Sequence, residues 1–114
     1  GREFVTGRSD FTSQARSMIE LRNSGLIHIY ADKKDGQLLG AEMIVPAAEH
    51  IAHQLALAVE NELTVSDMLR APFYHPAVEE GLRSALKDTA AKLHLKEPPS
   101  GLTLCESCAE YPLC

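Results

Sequence analysis

The residues in this sequence best suited to chemistry lie in "FYHPAVEEGL", residues 73–82. His75 stands directly before Pro76, and Glu79 and Glu80 follow within five positions. A proline restricts the residue before it to extended backbone and makes a cis bond accessible. If Pro76 opens a helix, Glu79 and Glu80 fall in its first turns, where a carboxylate gains from the helix dipole. Glu80 could then fold back and accept a hydrogen bond from one imidazole nitrogen of His75. That contact would fix the tautomer and aim the other nitrogen outward, an arrangement that general acid–base catalysis reuses. The alternative is a histidine that only caps the helix, beside a solvated Glu80. Spacing leaves both open, and the chain supplies no nucleophile of its own for such a pair.

Two other groups invite a chemical reading. In "EHIAH", His50 and His53 are three apart on one helical face, with Glu49 four before His53. Two imidazoles and a carboxylate can hold zinc, but the metalloprotease pattern needs histidines four apart with glutamate after the first. The polar face of an amphipathic helix is the favoured reading, and no metal is expected. "CESC", with Cys105 and Cys108, is half a zinc site at best, and no second pair accompanies it. Together with Cys114, these cysteines are expected to be incidental to a tail.

Positioning these residues falls to a chain of 114 residues, one domain's worth. Its 11 Lys and Arg against 16 Asp and Glu give a charge of -5, which argues against a nucleic-acid partner. Apolar runs such as "QLALAV" are too short to span a bilayer, so no membrane partner is expected. No basic start followed by an apolar run is present, so no secretory signal is expected. All three cysteines fall in the last ten residues, an odd number that makes no disulfide framework. The expected compartment is reducing and cytoplasmic.

"EFVTGRSDF" begins like a strand, and "TSQARSMIELRNSG" is either a short helical turn or an irregular link. "LIHIYA" (26–31) and "LLGAEMIV" (38–45) read as strands joined by a hairpin, with Asp35-Gly36 in the turn. Neither strand alternates cleanly, so both sheet faces are expected to meet apolar surface. Pro46 opens a helix over "PAAEHIAHQLALAVENEL", with Ile51, Leu55 and Val59 on its apolar face. Thr64 and Asp67 predict a capping box for "VSDMLR", which Pro72 ends. A last helix starts near Pro76, carries Val78, Leu82, Ala85, Leu86 and Leu93 on one face, and spaces Glu79 and Arg83 for an i,i+4 pair. From Lys96 the sequence loses periodicity and reads as a flexible tail. The fold class is α+β, an antiparallel β-sheet packed against α-helices in a two-layer sandwich.

In this order, these residues resemble the C-terminal dimerisation domain of the FAD-dependent pyridine nucleotide–disulfide oxidoreductases, most closely those of the dihydrolipoamide dehydrogenase type. The resemblance is carried by the hairpin and long helix within residues 14–61, by "LTVSDML", and by "HPAVEE", which looks like the family's His-Pro-Thr-x-x-Glu signature. It covers about residues 3 to 95, giving a domain at 1–95 that lacks the family's first strands and a tail at 96–114. It implies that His75 is the acid/base and Glu80 its partner, reaching across a two-fold axis into the other subunit's site, often over a cis His-Pro bond. It also implies a homodimer, consistent with helices carrying more apolar surface than a small sheet needs. In the full-length enzyme it implies FAD, NAD and a dithiol or disulfide substrate such as dihydrolipoamide. The chain itself is expected to be a fragment that binds neither cofactor and turns over nothing. Two departures concern substrate: the family's usual Thr is Ala77, and a second histidine often found two residues before the catalytic one is Phe73. The alternatives are a glutathione reductase-like or other disulfide reductase, or an interaction module without chemistry.

Overall fold

The computed structural model describes residues 1–96. Its elements run β1 (Phe4–Asp10), α1 (Ala15–Ile19), β2 (Leu26–Asp32), β3 (Leu38–Ile44), α2 (Ala48–Glu60), α3 (Val65–Arg70) and α4 (Glu80–Lys92). The three strands form one antiparallel sheet in the order β1-β2-β3, with helices packed on it, which is the expected α+β class. The expected tail and its three cysteines lie outside the described residues, apart from Lys96.

The β2–β3 hairpin forms as the sequence predicts. Gly36 takes φ +75, a conformation costly for any residue with a Cβ, and its N–H closes the turn on the Asp32 carbonyl at 2.9 Å. Burial along β2 alternates: Ile27, Ile29 and Ala31 enter the core, while Leu26, His28 and Tyr30 are half-buried on the other face. The apolar residues of that outer face are not all covered, since Ile44 is 84 % exposed and Phe4 55 %. The sequence obscures the alternation because both faces carry large apolar side chains.

The segment before Gly25, ambiguous in sequence, forms α1, with Gln14 as its N-cap. Helix α2 begins at Ala48, two residues after Pro46, because Ala47 adopts φ +52. It buries Ile51, Leu55 and Ala58 against the sheet, while Leu57 is left exposed. The capping box of α3 is complete: Thr64 Oγ1 accepts the Asp67 N–H at 3.1 Å, and Asp67 Oδ2 accepts the Thr64 N–H at 3.0 Å.

Helix α4 starts at Glu80 rather than near Pro76. Residues 77–79 form a tight turn, in which the N–H groups of Gly81 and Leu82 bond the carbonyls three residues back. The helix buries Leu82, Ala85, Leu86 and Ala90 across β1 and β2. Gly81 faces the ring of fully buried Phe11 so closely that a Cβ there would overlap it. Further along, Asp88 accepts the Arg8 backbone N–H at 2.7 Å and Lys92 donates to the Thr6 carbonyl at 2.7 Å, tying α4 to the β1 backbone.

Candidate functional site

The site is built on the loop from Ala71 to Glu79, between α3 and α4. Ala71 is extended, as expected before Pro72, and ends α3. The His75-Pro76 bond is cis. The chain then turns into α4, whose first residue is Glu80.

His75 and Glu80 are in contact. Nδ1 of His75 lies 3.0 Å from both Oε1 and Oε2 of Glu80, and Oε2 also accepts the Ala77 N–H at 3.1 Å. The His75 side chain is 73 % exposed and that of Glu80 28 %. The carboxylate is therefore seated in the protein while the imidazole stands out from it. Burial pushes the Glu80 pKa up, but the Ala77 N–H, the His75 hydrogen bond and the nearby charges of His75 and Arg83 outweigh it. The net position is below the ordinary carboxylate value, so Glu80 is ionised at neutral pH. With Nδ1–H donating to that carboxylate, the neutral imidazole carries its lone pair on Nε2. An exposed, oriented imidazole backed by a fixed carboxylate can take a proton at Nε2 and return it. The His75 ring bonds the Glu80 carboxylate, and α4 has no side-chain cap hydrogen bond at its N-cap. It is Glu80's own carboxylate that satisfies the Ala77 N–H in the turn leading into α4.

Around this pair, Arg83 lies 5.7 Å above the Phe73 ring. Glu79 does not follow the i,i+4 expectation. Its Oε1 lies 3.9 Å from Nδ1 of His50, and the other nitrogen of His50 lies 3.8 Å from Glu49. Among the described residues, no group of three or more His, Cys, Asp or Glu side chains is arranged to hold a metal ion. Within "EHIAH", His50 and His53 are both exposed, while Ile51 between them is buried.

Two polar arrangements escape a reading of the sequence. Gln14 is buried and bonds the Ala77 carbonyl, 63 residues away, at 2.8 Å. No local pattern marks it, because glutamine is an uncommon helix cap and its second partner is remote. On the outer sheet face, Glu42 Oε1 receives the Tyr30 hydroxyl at 2.8 Å and lies 2.9 Å from Nδ1 of His28. These bonds lower the Glu42 pKa, while the Tyr30 pKa is raised by its hydrogen bond to Glu42. Register is the available signal here, since His28 and Glu42 are directly opposed.

Comparison with known proteins agrees with this architecture. Residues 1–86 match the family model described as the pyridine nucleotide-disulphide oxidoreductase, dimerisation domain. Similar curated proteins include a dihydrolipoyl dehydrogenase of Rhizobium etli, 27 % identical over 82 % of this chain and 19 % of that protein. Dihydrolipoyl dehydrogenase 3 of Pseudomonas aeruginosa is 31 % identical over 76 % of this chain and 19 % of that protein. Among solved structures, LpdA from Mycobacterium tuberculosis superposes with a TM-score of 0.70 at 20 % identity, over 75 % of this chain and 19 % of that one. The flavoprotein disulfide reductase RclA from Escherichia coli gives 0.72 at 17 % identity, over 76 % and 20 %. The chain thus spans about a fifth of the length of the relatives it matches. No helix among the described residues is long and apolar enough to cross a membrane. With three quarters of its residues matched, the chain belongs to the dimerisation-domain family of the pyridine nucleotide-disulphide oxidoreductases.

Proposed function

We propose that this chain serves as the dimerisation domain of a dihydrolipoamide dehydrogenase-like flavoprotein, giving His75 and Glu80 as an acid/base pair to the active site of the partner subunit. The observation that carries this reading is the Glu80 carboxylate, held by the Ala77 N–H and placed 3.0 Å from Nδ1 of a largely exposed His75. Neutral His75 accepts a proton at Nε2 from a thiol of a dithiol substrate such as dihydrolipoamide. The resulting thiolate is the nucleophile that opens a disulfide, the one form of the group competent to do so. Glu80 remains ionised throughout and stabilises the imidazolium until it passes the proton on.

FAD and NAD, in this reading, are bound by polypeptide outside these 114 residues. The sequence has no Gly-x-Gly-x-x-Gly turn with which to hold a dinucleotide. The flavin would supply electron transfer when bound, and this chain's His75 would take up and return the proton of the substrate thiol. Homodimer formation is supported by exposed large apolar side chains, with Leu57 at 68 %, Tyr74 at 82 % and Ile44 at 84 %. The cysteine distribution keeps the reducing, cytoplasmic compartment as part of the reading.

Hybrid dimers of the full-length protein test whether His75 works across the two-fold axis. One parent carries His75→Gln and the other has its redox disulfide changed to serines, each inactive as a homodimer. A hybrid then joins an intact disulfide to the partner's intact His75 in one of its two sites and regains about half the wild-type turnover. Inactive hybrids would show that His75 does not act in trans.

A further inference from the structure

Gln14 is only 9 % exposed, and the two ends of its amide serve different parts of the fold. Its Oε1 accepts the Ser17 N–H at 2.7 Å, which caps α1. Its Nε2 donates to the Ala77 carbonyl at 2.8 Å. That carbonyl also receives the Glu80 backbone N–H at 3.3 Å, while the Ala77 N–H donates to Glu80 Oε2 at 3.1 Å. Both peptide planes flanking the Ala77 Cα are therefore held, and on the N–H side they are held against the carboxylate that faces His75.

The support behind Gln14 is firm. Its own N–H donates to the Phe11 carbonyl at 3.2 Å, and the fully buried Phe11 ring packs on Gly81 at the start of α4. One core residue thus anchors both Gln14 and the helix that begins with Glu80. Capping alone does not call for a glutamine, since Ser, Thr, Asp and Asn do it with shorter side chains. The length and the amide N–H of Gln14 are used toward Ala77.

We propose that Gln14 is a positioning residue for the His75–Glu80 pair, its amide holding the Ala77 turn in the conformation that keeps the Glu80 carboxylate aimed at Nδ1 of His75. The inference rests on the reading of His75 and Glu80 as an acid/base pair, and Gln14 acts on that pair through Ala77.

The test compares Gln14→Glu, Gln14→Ala and His75→Gln in the full-length flavoprotein. Gln14→Glu keeps an oxygen for the Ser17 N–H, and so keeps the α1 cap, but at neutral pH it brings no donor to the Ala77 carbonyl. Both Gln14 variants are expected to lower kcat for dihydrolipoamide by about tenfold, the scale of a modest misplacement of catalytic groups. KM, flavin content and dimer mass should stay as in wild type. The low-pH limb of the kcat profile should move to lower pH, because the base loses the well-placed carboxylate that stabilises its protonated form. Wild-type kcat and an unmoved limb in Gln14→Glu would overturn the proposal and leave Gln14 as a cap. A fall in kcat with the limb unmoved would also overturn it, as a general structural effect. Wild-type turnover in His75→Gln would remove the acid/base reading itself. A crippled His75→Gln beside a normal Gln14→Glu would remove only the positioning role.

Discussion

Glu80 places both of its carboxylate oxygens 3.0 Å from Nδ1 of His75, and one of them also holds the Ala77 N–H. A glutamine at 80 keeps the shape and one acceptor but loses the charge that balances an imidazolium. In the full-length enzyme, Glu80→Gln is expected to lower kcat by about a hundredfold, the range of general acid–base contributions, while flavin content is unchanged. Steady-state turnover of dihydrolipoamide checks this, and a kcat near wild type would show that the carboxylate is not used.

The same contacts make Glu80 sensitive to acid. Its folded-state pKa lies below the ordinary value, because the Ala77 N–H and His75 outweigh the upward push of burial. A carboxylate of this kind contributes stability that is fully present above its unfolded pKa of roughly 4.3 and is lost as pH falls through the lower folded value. Thermal melting followed from pH 7 down to acid should show a shallower loss of Tm in Glu80→Gln than in wild type over that window. Parallel curves would mean that Glu80 gains nothing from these contacts.

The capping box of α3 gives a prediction independent of function. Thr64→Ala removes the acceptor for the Asp67 N–H and is expected to cost about 1 kcal/mol. Asp67→Ala should cost a similar amount, and the double variant less than the sum of the two, because each side chain caps the other's backbone. Urea unfolding of the three variants measures this, and strict additivity would contradict the reciprocal arrangement.

Gly81 tests the anchor behind the site. A methyl there would overlap the buried Phe11 ring, which is closely packed and has no exposed direction in which to move. Gly81→Ala is expected to destabilise by about 1–3 kcal/mol, as overpacking does, despite alanine's better helix propensity. An increase in stability would show that Phe11 is free to shift.

What the sequence discloses here follows the range of each interaction. The Thr64–Asp67 box, the turn at Gly36 and the His75–Glu80 pair all join residues within five positions, so spacing and residue type suffice to propose them. The starts of α2 and α4 were each displaced, because Ala47 takes a left-handed conformation and residues 77–79 form a tight turn that Pro76 does not announce. Glu79 answers His50 on α2 rather than Arg83 on its own helix, and helical spacing carries no information about a neighbour from another element. Gln14 is the clearest case. Its partner lies 63 residues away, and tertiary packing such as that of Phe11 on Gly81 brings the two segments together. Spacing alone also left the choice between a capping and a catalytic His75 open. The seating of Glu80 and the exposure of the imidazole supply the geometry that the catalytic reading requires.

The central claim is that His75 carries the proton in the chemistry of the full-length enzyme. The direct measurement is the turnover of dihydrolipoamide by homogeneous His75→Gln dimers, with flavin content and absorbance spectrum recorded on the same sample. With His75 as the proton carrier, turnover should fall by about a hundredfold or more with a normal flavin complement. Turnover close to wild type would contradict it.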